Sequence, residues 1–444
     1  MTLVWSILIL VVSLLACMIL KLDLVYGLLV GMFVFMAAAV QSGFSLRSVL
    51  KMMWAGIRES FIVVGVLLLI GAMTGIWRGS GTIQQMVIYG TELIHPKFFV
   101  LFSFLLPMAV SYLIGTSFGT SATIGVVLMM LCAMSGENPV IIGGAIMSGI
   151  YFGDRASPTS SCANLNAYLT KTEIYRNVRL MLKDTIPAVL ISAALYILLS
   201  LRNPLQTIDL HILEEMKAQV QLSPVLLLPA VIILLAPMIR LNIKTAIGIS
   251  ILCAGIIAHV MQGMSLSGIL WTTLLGYEAK GAFAEILSGG GVQSMVHCCI
   301  MIIIAATYSG IFNGTQMLSG AEKLLERLSD KMPLFLVTAL TGIPLIMISC
   351  SQTLALMLQL PLIRPLYEKK GISNEQMMLD TADTTVLFSA LVPWCLAVTM
   401  PLEMLNVPVS CLPLAFYLYM PALVSLLQNM FHKKVVQSGV TTKF

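Results

Sequence analysis

The chain has 444 residues, 58% of them hydrophobic and 10% charged, with a mean hydropathy of +0.96 and a formal net charge of +5. A soluble domain carries about 25% charged residues, so this composition excludes an ordinary soluble protein and predicts a polytopic membrane one. The basic residues fit membrane orientation and nothing suggests nucleic acid; the nine cysteines hold no C-x-x-C pair and sit mainly in apolar stretches as packing residues, and the five histidines have no ligand spacing, which argues against a metal site.

In chain order, residues 3–20 form an uncharged stretch long enough to cross a bilayer. The stretch lacks the basic start and small-residue cleavage site of a signal peptide and is read as the first true span. A very short turn leads to a span at 24–40. Then come an amphipathic stretch at 46–58, a Gly-rich span at 61–77, a span at 98–113, a short segment at 121–134, a polar-broken element at 140–168 and a closing span at 185–201. After a polar linker at 202–222 the same order returns at 225–239, 245–261, 266–277, 295–312, 334–349, 354–365, 377–398 and 409–430. The expected organisation is a first membrane repeat at 1–201, the linker, a second membrane repeat at 223–432 and a basic cytoplasmic tail at 433–444.

The halves also match residue by residue. KLDL from Lys21 returns as RLNI from Arg240, and SGFSLRSVLKMMWAGI from Ser42 returns as QGMSLSGILWTTLLGY from Gln262. GAMTGIWRG from Gly71 returns as AATYSGIFNG, so the offset runs from 219 residues to the 235 that separate Gly75 and Gly310. About seven crossings per half is an odd number, so the second half enters the membrane upside down, as in repeat-built transporters with a site where the halves meet. Charge agrees with this. With the N-terminus inside, 18 of the 25 Lys and Arg fall inside, six fall outside, and Arg155 lies within the membrane. The basic loop at 171–183 is mirrored by a loop around Glu403 without Lys or Arg, and the uncharged-to-acidic turn at 136–137 by one carrying Arg364, Lys369 and Lys370. Parallel repeats would not invert in this way. The expected fold is an all-α polytopic membrane protein of two inverted-topology repeats with discontinuous helices and about 10–14 membrane segments. It is expected to be multi-pass in a cell inner membrane with both termini cytoplasmic.

Two stretches per half break the apolar pattern. GTSFGTSAT, with Thr116, Ser117 and Thr120, is mirrored by SCSQT, with Ser351, Gln352 and Thr353. Hydroxyls and free carbonyls at membrane depth line a wet cavity or are buried in protein; close helix packing through small residues is the competing reading. The second break, YFGDRASPTSSCANL, carries Asp154, Ser157, Thr159, Ser160 and Asn164 around Pro158, which ends the helix. Its counterpart, LDTADTTVLFSALVPW, carries Asp380, Asp383 and Thr384, with Asp383 placed 229 residues after Asp154. Intramembrane carboxylates are costly and mark ion pathways. Carbonyls, hydroxyls and a carboxylate make a hard-oxygen site for a small cation, with Asp154 and Asp383 as expected Na+ ligands. A structural ion pair between Asp154 and Arg155 is the alternative.

At these residues the chain resembles the NhaC-type Na+/H+ antiporters of the ion-transporter superfamily. The matching signatures are GTSFGTSATIG, GGAIMSGIYFGDRASPTSSCANL, ILSGGGVQSMVH followed by TYSGIFNG, and LVPWCLAVTM followed by NVP. The resemblance implies discontinuous helices around a central ion site and exchange of sodium for protons, with relatives that exchange organic acids such as malate and lactate. Carried over, Asp154, Ser157, Pro158, Asn164 and Asp383 occupy motif positions, whereas Ser161 and Ala382 stand where the family often has carboxylates. The expected activity is a secondary antiporter with Na+ and H+ as transported ions, no cofactor, the lipid bilayer as surroundings, and assembly into an oligomer left open. An exchanger of a small organic anion or amino acid is the second reading. A membrane-embedded enzyme finds no supporting motif, and no nucleotide-binding G-x-x-x-x-G-K-[ST] loop is present.

Overall fold

The computed structural model describes residues 3–93, 95–203, 214, 220–239, 241–279, 284–315 and 322–437. Most of the expected linker, and 438–444 of the expected tail, lie outside them. The described residues are almost entirely helical, with no strand beyond an isolated antiparallel bridge between Tyr277 and Gly289. Among the described residues, seven helices are long and apolar enough to cross a membrane, and shorter apolar helices accompany them. Their outward faces carry large exposed apolar side chains such as Trp5, Phe33, Trp54, Leu190, Leu252 and Trp271, a surface that belongs against lipid. The protein is a multi-pass membrane protein.

The first half holds α1 (Leu3–Ile19), α2 (Leu24–Gln41), α3 (Leu46–Gly79), α4 (Thr82–Leu93), α5 (Phe99–Ile114), α6 (Ser117–Ser135), α7 (Pro139–Ala156), α8 (Ser161–Thr170) and α9 (Ile174–Arg202). The second holds α10 (Leu228–Leu235), α11 (Ile243–Val260), α12 (Leu266–Leu275), α13 (Val296–Thr315), α14 (Glu322–Lys331), α15 (Leu334–Ser349), α16 (Gln352–Lys369), α17 (Asn374–Thr381), α18 (Leu396–Leu405) and α19 (Met420–Gln437), the last running through 433–437 of the expected tail.

The repeat is written into caps and turns. Asp23 and Asn242 cap α2 and α11, and Ser45 and Ser265 cap α3 and α12, each side-chain oxygen accepting a free backbone N–H. Left-handed residues recur in pairs 235 apart: Gly115 and Cys350, Gly136 and Gly371, Lys171 and Asn406. The offset is 219 at the first caps and 220 at the second, and the remaining growth to 235 arises in one place. In the first half the amphipathic stretch and the Gly-rich span fuse into α3, whose 34 residues run roughly 50 Å. In the second, the residues numbered 276–291, whose described part includes a short helical turn at Ala284–Leu287, part α12 from α13. A further asymmetry lies at the end. α9 is continuous, but its counterpart begins as 3-10 turns at Val409–Leu414, where Pro413 removes a backbone donor, before α19.

These helices sort into two bodies. α1, α2 and α3 pack with α10 to α13, and α3 crosses α13 so closely that a Cβ on Gly56 would lie 2.8 Å from the backbone nitrogen of Gly310. The second body combines α5 to α9 with α15 to α19. Contacts between the bodies are sparse, so each repeat contributes to both and the site lies along the seam.

Candidate functional site

The first break in each half has one geometry. α5 ends at Gly115 (φ +76°), Thr116 is extended, and Ser117 starts α6. α15 ends at Cys350 (φ +53°), Ser351 is extended, and Gln352 starts α16. Each break leaves orphan carbonyls at one helix end and free N–H groups at the next. The free N–H end of α6 meets Asp154, whose carboxylate lies against Ser117.

Asp154, Thr116, Ser117, Ser351, Gln352 and Thr353 together line a cavity of about 310 Å³ between the two bodies. The first body contributes Glu59 and Ser60 of α3 and Ser309 and Asn313 of α13. Ser349, Ser161 and Cys162 complete the polar lining, and Ile302, Leu396 and Met400 close the apolar end. The lining holds two carboxylates, Asp154 and Glu59, and no Lys, Arg or His. Glu59 and Asn313 are exposed, marking the mouth. In the basic loops, Lys369 pairs with Glu326 at 3.2 Å, Arg176 with Glu375 at 3.2 Å, and Arg364 donates to the Leu169 carbonyl.

The other expected residues lie elsewhere. Ser157 donates to the Tyr112 carbonyl at 2.7 Å and pairs with Thr159 at 2.7 Å, fixing the turn after α7. Ser160 caps α8 and donates to the Asp154 carbonyl at 2.9 Å, and Asn164 donates back to the carbonyls of Pro158 and Ser160. Thr120 and Thr384 satisfy carbonyls one turn back in their own helices, those of Thr116 and Asp380. Asp380 accepts from Tyr367 at 2.5 Å and Gln376 at 2.8 Å, away from the cavity. These groups shape the breaks.

Asp383 also lies outside the cavity lining, on a π turn that follows α17. It accepts from Arg155 Nε at 2.7 Å and from Ser425 Oγ at 2.9 Å. Arg155 also reaches Asp184 at 2.8 Å and the Met181 carbonyl at 3.1 Å, and its side chain is fully enclosed. The alternative reading, an Asp154–Arg155 pair, gives way to an Arg155–Asp383–Asp184 network across the repeats. The mirrored-aspartate expectation is corrected too. Pro158 and Pro393 are 235 apart, in step with the left-handed pairs around them, so Asp154 corresponds to Ser389 and Asp383 to Ser148. The offset of 229 misplaced Asp383 by six residues. Among the described residues no group of three or more His, Cys, Asp or Glu could hold a metal.

Sequence reasoning missed Glu59, Ser60, Ser309 and Asn313. Glu59 follows a stretch read as amphipathic and so looked like solvated surface. Asn313 sits in the repeated GIFNG motif, the one signal that pointed to it.

The Na(+)/H(+) antiporter NhaC of Bacillus subtilis (strain 168) is 28% identical, with 88% of each chain covered. The malate-2H(+)/Na(+)-lactate antiporter of the same organism is 27% identical over 84% of this chain and 82% of that protein. The crystal structure of the Alcanivorax borkumensis YdaH transporter is 14% identical, covers 87% of this chain and 89% of its own, and superposes with a TM-score of 0.44. Residues 149–430, from the second half of α7 to the middle of α19 and so including Asp154 and the second copy of each break, match the Na+/H+ antiporter family, and the chain belongs to that family.

Proposed function

We propose that the protein exchanges sodium for protons, with Asp154 binding the two in turn, and that access alternates as one helical body moves against the other. The observation that carries this reading is the cavity lining: two carboxylates, amides and hydroxyls, with no basic side chain. Oxygen-rich, net-negative walls suit a small hard cation. Asp154 is the carboxylate at the buried end, and no arginine or lysine competes with sodium or a proton for it. Asp383 is left to its pair with Arg155 and acts as structure.

The malate and lactate antiporter among the relatives keeps an organic-acid cargo in view, but the lining disfavours it here. An anionic ligand would share the cavity with Asp154 and Glu59 and with no cationic side chain, since Arg155, the one arginine near the break, is enclosed by Asp383 and Asp184. In proteoliposomes carrying an internal pH dye, added sodium or lithium is expected to change internal pH, and Asp154→Asn to cut the rate by about tenfold or more. Silence to cations with a response to malate, lactate or an amino acid would reverse the assignment. Unchanged flux in Asp154→Asn would remove Asp154 from the site.

A further inference from the structure

At the end of α13 opposite Asn313, about 24 Å away along the helix, a second cleft of about 610 Å³ opens between the bodies. It is lined by the α1–α2 turn, the start of α13 and the second half of α18. A buried apolar cluster, with Leu67, Met295, Cys299, Ile302 and Met400, lies between the cleft and the Asp154 cavity. The cleft is spanned by one side chain. His297 Nε2 lies 2.8 Å from Asp23 Oδ2, on the first body, and its Nδ1 lies 2.9 Å from Glu403 Oε1, on the second. Glu403 also accepts from the Cys298 thiol.

We propose that His297 is a proton-operated latch that holds the two bodies together across this cleft. An ionised carboxylate only accepts hydrogen bonds, so an imidazole bonded to one at each nitrogen must carry both protons. With one proton lost, the ring can donate to only one partner, and its other lone pair faces a carboxylate oxygen. Asp23 and Glu403 then also face each other with less positive charge between them. The remaining charged group on the cleft is Lys21 from the α1–α2 turn; α18 presents Glu403 alone, and α13 adds only the Cys298 thiol. An imidazole titrates in the range where the two sides of a membrane commonly differ, so acid on this side fastens the seam and alkali frees it.

The latch rests on the two-body reading of transport, and it is tested apart from cargo. Hydrogen exchange is followed on the full chain in lipid nanodiscs, in peptides covering 20–26 and 396–408, at about pH 5.5 and about pH 8.5 with the intrinsic pH dependence of exchange divided out. Wild type is expected to exchange about fivefold faster at the alkaline pH in both segments. His297→Gln keeps one hydrogen bond but no charge, and is expected to exchange fast at both pH values. Glu403→Ala, which removes the partner on the second body, should do the same and serves if the first variant folds poorly. A pH response that persists in either variant, or is missing from wild type, overturns the latch. Sodium-driven flux on the same preparations reads the cargo separately. Flux without the exchange response overturns the latch alone, whereas the exchange response without flux supports the latch and reverses the cargo.

Discussion

Asp154 and Arg155 are neighbours in sequence and face different surroundings, because consecutive residues on a helix point about 100° apart. Asp154 looks into the seam; Arg155 looks into the second body, where Asp383 lies 228 residues away. The two aspartates should therefore fail differently. Asp383→Asn leaves the buried Arg155 with Asp184 as its remaining carboxylate and is expected to cost about 1.5–3 kcal/mol of stability, read as a lowered unfolding midpoint in detergent. Asp154→Asn removes a buried carboxylate without a cationic partner and is expected to leave the midpoint unchanged or raised while abolishing flux. Equal midpoints for the two variants would contradict this division of roles. Both residues were visible in the sequence as costly intramembrane carboxylates. Their separate roles were not, since an arginine's partner depends on direction in space and not on spacing along the chain.

The breaks are the elements that make the site. Each needs a left-handed residue, an extended residue and a fresh helix start, and the runs of Gly, Ser and Thr predicted the interruption. They did not predict the π turns at Ser121–Gly125 and Ala382–Val386, because one extra residue in a helical turn leaves hydrophobic periodicity almost intact. At Gly115 the requirement is steric as well as conformational. A Cβ there would lie 2.6 Å from the carbonyl carbon of Thr159 and 2.7 Å from the nitrogen of Ser160. Gly115→Ala is expected to cost at least about 1–2 kcal/mol from the left-handed backbone alone, and to lower both the unfolding midpoint and sodium-dependent flux. A midpoint equal to wild type would mean that the break re-forms in another geometry.

At the scale of the molecule, the inverted repeat places loops from both halves on each face. Lys171 and Lys369, replaced singly by cysteine in a cysteine-free background, are expected to react with an impermeant maleimide from one side of the membrane. Lys21 and Asn406 should react only from the other. Labelling of Lys171 and Lys369 positions from opposite sides would rule out inversion. The cytoplasmic identity of the basic side follows from the same experiment in oriented vesicles.

Composition alone determined that this chain lives in a bilayer, and recurring motifs determined that it is one unit used twice, because hydropathy and repeats are properties of short stretches. The breaks and the aspartates were likewise legible residue by residue. Tertiary structure decided which helices form each body, that Asp154 faces the cavity with Glu59 while Asp383 holds Arg155, and that His297 joins Asp23 to Glu403. Those pairings link positions up to 274 residues apart. They arise from how amphipathic helices bury their polar faces against one another, which no local pattern records.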